Sequence, residues 1–215
     1  MAFDCAGASS ILSAAERSRA DRYRFDEDRH RYIAGRATLK RVLAERTGVP
    51  AKDLNIEEGD WSKPRLALPP GVPPIFFNVS HSGDYALVAV SDSAEVGIDI
   101  EQTRAECPID DLARRYYSAG EHQRLRKLSA PRRLHDFYRL WTIKEAVLKC
   151  AGLGLSVPPA VVEVRLAADA HPQIHCVDPP RKFLEQISVR ELEIAAGYVS
   201  ALAVETRSEI DLNIV

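Results

Sequence analysis

Apolar residues recur at helical spacing in two long stretches of the chain and in short, strand-like runs elsewhere. Ile33, Leu39, Val42 and Leu43 form a stripe that predicts a helix over 27–47, ended by Gly48 and Pro50. A second long helix is predicted over 131–150, with Gly152 and Gly154 stopping it. Ser13-Ala14-Ala15-Glu16 and Ser118-Ala119-Gly120-Glu121 have the spacing of capping boxes and predict two shorter helix starts, with a further helix over 110–117. Strands are predicted at 76–81, 85–91, 96–101, 161–166, 187–194 and 198–205, the first two joined around Ser82-Gly83-Asp84.

Each half therefore reads as helices followed by a small antiparallel sheet, an α+β pattern. The run Gly83 to Val90 echoes Gly197 to Val204, and the polar stretch 102–108, ending in Pro108, reads as a linker. Pattern alone is divided between a duplicated α+β unit, with halves 1–103 and 104–215, and one irregular α+β domain.

A chain of 215 residues can bury a sizeable core, and 46% hydrophobic with 28% charged residues excludes wholesale disorder. No apolar run approaches the roughly 18 residues of a membrane span, and the acidic start at Asp4 lacks signal-peptide character, so a cytoplasmic protein is expected. The formal net charge of -2 argues against a dedicated nucleic-acid binder. Cys5, Cys107, Cys150 and Cys176 are scattered, which fits free thiols better than a zinc site or disulfides. Charge is nonetheless uneven. Residues 114–139 hold eight Arg or Lys against Glu121 and Asp136, and residues 17–46 hold ten against five acids. Such runs are either solvated faces or docking surfaces.

Three segments carry candidate chemistry. In Val96-Gly97-Ile98-Asp99-Ile100-Glu101, alternation puts Asp99 and Glu101 on one face of a strand. Paired carboxylates repel unless a cation lies between them, and oxygen donors suit Mg²⁺; Gly97 on the same face would leave room for a ligand. The bland alternative is an acidic strand end. In the helix, Trp141, Glu145 and Lys149 share a face at i, i+4 and i+8, with Lys144 beside it. Glu145 is either a third metal ligand or half of a surface ion pair. In Asn78-Val79-Ser80-His81-Ser82-Gly83, the histidine is either a phosphate contact or an idle turn residue. His171-x-x-x-His175 is a poor zinc site because Pro172 lies between the two, and no Walker A or dinucleotide fingerprint is present.

Taken in order, the Asn78–Gly83 segment, Gly97-Ile98-Asp99-Ile100-Glu101 and Trp141-x-x-Lys144-Glu145-Ala146-x-x-Lys149-x-x-Gly152-x-Gly154-Leu155 resemble the 4'-phosphopantetheinyl transferases of the Sfp type. Lys63-Pro64 and Ala34-Gly35-Arg36 match as well, and the resemblance runs from about Arg22 to Leu155. It implies transfer of phosphopantetheine from coenzyme A to a serine of an apo carrier protein, with release of adenosine 3',5'-bisphosphate. It also implies two similar α+β subdomains with the active site in the cleft between them. Asp99, Glu101 and Glu145 would hold Mg²⁺, with Mn²⁺ as an alternative; Glu145, or a water on the metal, would be the general base. Lys149, with Lys144, would offset charge on the leaving group. Arg36, Ser62, Lys63, Val79, Ser80 and His81 would bind the coenzyme, although Ser62 stands where relatives commonly have Gly. The basic 114–139 region would dock an acidic carrier, with Tyr116 and Tyr117 either at the centre of that interface or in the core. A monomer is expected, since a fused two-copy chain completes its own cleft. The rivals are another Mg²⁺-dependent phosphoryl or nucleotidyl transferase and a non-catalytic basic binding module.

Overall fold

The computed structural model describes residues 5–59, 63–166, 171–206, 210 and 212. Helices α1 (Cys5–Ser10), α2 (Ala14–Ala20) and α3 (Asp26–Thr47) come first, followed by the paired strands β1 (Asn55–Glu58) and β2 (Pro64–Ala67). Strands β3 (Phe76–Ser82), β4 (Tyr85–Ser91) and β5 (Val96–Gln102) lead into α4 (Ile109–Tyr116), α5 (Ala119–Arg126) and α6 (Ala130–Cys150). Strands β6 (Val162–Arg165), β7 (Gln173–Cys176), β8 (Ile187–Leu192) and β9 (Tyr198–Glu205) complete an α+β fold. Among the described residues, no helix is long and apolar enough to cross a membrane.

The chain gathers into two compact units, one of residues 1–57 with 64–75 and one of 58–63 with 76–215. The first is built on α3, whose opening turn carries Asp26, Glu27 and Asp28 where the helix dipole favours acid. Gly48, in the left-handed region at φ 71°, closes that helix. Ile33 and Ala37 pack against Ala8, Leu12 and Ala20. Ser13 and Glu16 form the expected capping box, and Glu16 reaches on to Arg36 Nε at 2.5 Å and Lys40 Nζ at 3.2 Å.

The second unit holds an antiparallel sheet with strand order β5-β9-β8, together with the pairs β3-β4 and β6-β7. Helix α6 crosses β5 and β9, and Phe137, Leu140, Ile143 and Val147 sink from it into the main core with Val189, Ala201 and Ala203. Because β5 pairs with β9 from Val96↔Val204 to Gln102↔Tyr198, the chain does not divide at 103/104: that ladder holds the two expected halves in one sheet. The two echoing strands, β4 and β9, also lie in this same unit.

A clearer repeat lies in the helices. Ser13-Ala14-Ala15-Glu16 and Ser118-Ala119-Gly120-Glu121 start α2 and α5 with complete capping boxes, and Thr38-Leu39-Lys40 and Thr142-Ile143-Lys144 sit inside α3 and α6. In each case the capping-box glutamate pairs with a lysine of the long helix: Glu121 Oε2 lies 2.9 Å from Lys144 Nζ, as Glu16 does 3.2 Å from Lys40. Both lysines are 0% exposed.

Gly97 permits the close approach of α6 to β5. A Cβ at this position would lie 2.1 Å from the Ala146 carbonyl oxygen and 2.3 Å from the Cys150 nitrogen, both backbone atoms. The space expected for a ligand is therefore filled by the helix. Gly97→Ala should destabilise the protein by about 3 kcal/mol, the upper end of ordinary overpacking costs, because neither backbone can yield locally. Urea unfolding of the variant beside the unchanged protein measures it.

Candidate active site

The acidic centre begins at the outer edge of β5. In a strand at the end of a sheet, alternate N–H and C=O groups lack a backbone partner and must be satisfied otherwise. Here β3 supplies side chains. Asn78 Oδ1 accepts from Ile98 N at 2.9 Å, Ser80 Oγ from Ile100 N at 3.4 Å, and Ser82 Oγ from Gln102 N at 3.0 Å. Lysines satisfy the carbonyls: Lys63 Nζ donates to Val96 O at 3.2 Å and Lys149 Nζ to Ile98 O at 3.3 Å.

Between these capped positions, Asp99 and Glu101 turn together toward α6. Asp99 is 3% exposed; its Oδ1 accepts from Lys149 Nζ at 2.6 Å and Ser80 Oγ at 2.8 Å. Glu101 Oε2 accepts from Ser82 Oγ at 3.0 Å, and the Trp141 indole also favours the charged form of this carboxylate. Glu145, one turn before Lys149 on α6, completes the group. Burial raises the pKa of all three acids. Lys149 opposes the shift at each of them, while Asp99 reinforces it at Glu101, and Asp99 and Glu101 reinforce it at Glu145. Three acids thus crowd round one ammonium, and Asp99 Oδ2 and Glu145 Oε1 are buried without a hydrogen-bond partner.

Such orphaned carboxylate oxygens are what a hard divalent cation uses. Among the described residues no three His, Cys, Asp or Glu side chains are already closed around one centre, so the fit rests on donor chemistry: oxygen donors only, mutual repulsion and unfilled lone pairs. Two clefts of about 750 and 680 Å³ lie elsewhere in the unit, beside β7 and β8 and at the β8–β9 turn, and none of these acids lines them.

Residues 95–203 match the model of the 4'-phosphopantetheinyl transferase superfamily, and residues 3–93 match that of the 4'-phosphopantetheinyl transferase N-terminal region. The chain belongs to this transferase family. It is 30% identical to 4'-phosphopantetheinyl transferase Sfp of Bacillus subtilis strain 168 over 194 residues, 90% of this chain and 82% of that protein. A second Bacillus subtilis 4'-phosphopantetheinyl transferase is 34% identical over 169 residues, 79% and 73% of the two chains. Against a Synechocystis relative the identity is 35% over 150 residues, and the match spans 61% of that protein's length. A holo-(acyl-carrier-protein) synthase from Bacillus anthracis, solved in complex with CoA (3',5'-ADP), superposes with a TM-score of 0.42 at 22% identity, covering 51% of this chain and 93% of that one.

In this transferase-family chain Asp99, Glu101, Glu145 and Lys149 come together as expected, the first two from the part of the chain before residue 104 and the last two from the part after it. Lys144 does not join them. One residue is about 100° around a helix, and Lys144 points the other way, to Glu121 Oε2, to the carbonyls of Pro159 and Val162 and to the face of Tyr117. It is a buried tie between α5 and α6. Lys63 is likewise committed, since its three donors meet Glu95 Oε2 at 2.6 Å, Val96 O at 3.2 Å and Cys150 O at 2.9 Å. Ser80 spends its hydroxyl on Asp99 and β5 and does not reach outward; Val79 is half-buried opposite Val88. His81 is exposed near the end of β3. Arg36 lies in the first unit, held by Glu16, and Ser62 lies outside the described residues. Tyr117 is core, its hydroxyl donating to Phe137 O at 2.7 Å, whereas Tyr116 is half-buried edge-on against Trp141. The sequence reading missed Asn78 and Ser82 as contributors, although their period-2 spacing with Ser80 was there to be read.

A carboxyl whose pKa is raised by folding gives stability that is full below its unfolded pKa and is lost as pH rises through the folded value. Glu145→Gln removes that loss. In EDTA the variant should melt roughly 2–4 °C above the unchanged protein at pH 7.5, about 1 kcal/mol for a chain of this size. The gap should close as the pH falls below the ordinary glutamate value of 4.5. Calorimetry across that range checks it.

Proposed function

We propose that this chain transfers the 4'-phosphopantetheine group of coenzyme A to a serine of an acidic apo carrier protein, releasing adenosine 3',5'-bisphosphate. The observation that carries the reading is the gathering of Asp99, Glu101 and Glu145 about Lys149, at the motif positions of a chain whose relatives are named 4'-phosphopantetheinyl transferases.

In the reaction, the carrier serine oxygen bonds to the β-phosphorus, and the bond from that phosphorus to the oxygen bridging to the α-phosphate breaks. Positioning and charge on the phosphate oxygens control such displacements. Asp99, Glu101 and Glu145 would hold Mg²⁺, or Mn²⁺, which when bound supplies positive charge against the diphosphate. Glu145, its pKa raised by burial and by its acidic neighbours against the pull of Lys149, takes the serine proton. Lys149, whose ammonium is held by Asp99 Oδ1, Ser80 Oγ and Ile98 O, offsets charge on the departing bisphosphate through its field rather than by a direct hydrogen bond. Arg36, His81 and Ser62 remain as contacts for the nucleotide end; Lys63 and Ser80 serve indirectly, by fixing the edge of β5.

The carrier docks on the basic 114–139 region. Arg139 is held bidentate by Glu191 at 2.7 Å, so the docking charge falls to the exposed Arg114, Arg115, Arg126, Lys127 and Arg132, with Tyr116 at its margin under Arg115. We take the enzyme to be a cytoplasmic monomer: Cys107, Cys150 and Cys176 are free thiols, and the acids and Lys149 all come from one chain.

Purified protein incubated with coenzyme A, Mg²⁺ and a panel of apo carriers should add one phosphopantetheine to at least one carrier by mass spectrometry. EDTA should abolish the gain, and Glu145→Ala should slow it at least about 100-fold. No gain on any carrier, with no binding of coenzyme A, overturns the reading. Raising ionic strength should raise the KM for the carrier much more than that for coenzyme A, since docking between exposed charges is screened. Equal sensitivity would remove the 114–139 surface from the account.

A further inference from the structure

Ser82 was not among the residues expected to act, yet it touches the acidic centre directly. Along β3 the side chains of Asn78, Ser80 and Ser82 perform the same structural task, accepting successive N–H groups of β5. They differ in what else they do. Among the described residues Asn78 bonds to no carboxylate, whereas each serine also donates its single proton to one: Ser80 to Asp99 Oδ1 at 2.8 Å and Ser82 to Glu101 Oε2 at 3.0 Å. With its oxygen engaged by Gln102 N, the Ser82 hydroxyl proton has a preferred direction, and that direction holds Glu101. Glu101 carries one more rotatable bond than Asp99 and stands at the more open end of the acidic group, where Asp99 is 3% exposed and Glu101 only half-buried. It is the acid that most needs an external hold.

We propose that Ser82 is a positioning residue, which fixes the Glu101 carboxylate so that it is presented with Asp99 and Glu145 as one cation site. This rests on the function proposed above. Outer hydrogen bonds that orient a ligand typically govern metal affinity by about 10–100-fold. The backbone role of the same hydroxyl is separable from this one, because Asn78 shares the first without the second.

The test compares Ser82→Ala, Ser82→Thr and Asn78→Ala with the unchanged protein, reading Mn²⁺ affinity by electron paramagnetic resonance and thermal stability in EDTA. Ser82→Ala should weaken Mn²⁺ binding about tenfold or more and raise the metal concentration for half-maximal transfer in parallel. Its KM for coenzyme A at saturating metal should stay within about twofold. Ser82→Thr, which keeps the hydroxyl, should recover most of the affinity. Asn78→Ala should lower the melting temperature with Mn²⁺ affinity within about twofold. Unaltered Mn²⁺ affinity in Ser82→Ala overturns the proposal, as does an equal loss of affinity in Asn78→Ala, which would make the effect a general one of the β5 edge. If the unchanged protein transfers phosphopantetheine but binds no Mn²⁺, the Ser82 proposal fails while the transferase reading stands. If it neither transfers nor binds, both fail.

Discussion

The outer edge of β5 is the constraint on which the second unit depends. A strand that ends a sheet leaves one row of amides bare, and each buried amide left unsatisfied costs about 1–3 kcal/mol. Here the row is closed by three side chains of β3 and two lysine ammonium groups instead of by another backbone. Side chains can do something a neighbouring strand cannot, since they carry further polar atoms beyond the one that caps the amide. Ser80, Ser82 and Lys149 use those atoms on Asp99 and Glu101. Satisfying the backbone and arranging the acids are therefore one act.

Much of this was legible in the sequence. Both capping boxes, the two long helices and the strands from β3 to β5 stand within a residue or two of their predicted ends, because caps, glycine stops and alternation are local signals. The pairing of Asp99 with Glu101 follows from the two-residue period of a strand. The short pieces β1, β2 and β7 were not foreseen, since four residues are too few to show a period.

Direction was harder to read than position. Lys144 and Glu145 are adjacent letters, and nothing local says which faces the acids; that is decided by Glu121 and the carbonyls of Pro159 and Val162, well away in sequence. The same holds for Lys63, whose acceptors lie 32 to 87 residues distant. Gly97 was read as making room for a ligand, but the space is taken by a helix backbone. The boundary at 103/104 failed for a related reason: a polar linker marks where the chain turns, not where its sheet ends.

The helical repeat has an asymmetry built into it. Superposing Thr38-Leu39-Lys40 on Thr142-Ile143-Lys144 without gaps places Arg41 opposite Glu145 and Glu45 opposite Lys149. The internal tie, lysine to capping-box glutamate, is present in both copies, while the next residue along has opposite charge in the two. Since successive residues on a helix look about 100° apart, the scaffold and the chemistry occupy different faces of the same rod. The same tie therefore serves a helix that presents an acid next to it, at Glu145, and one that presents a base there, at Arg41.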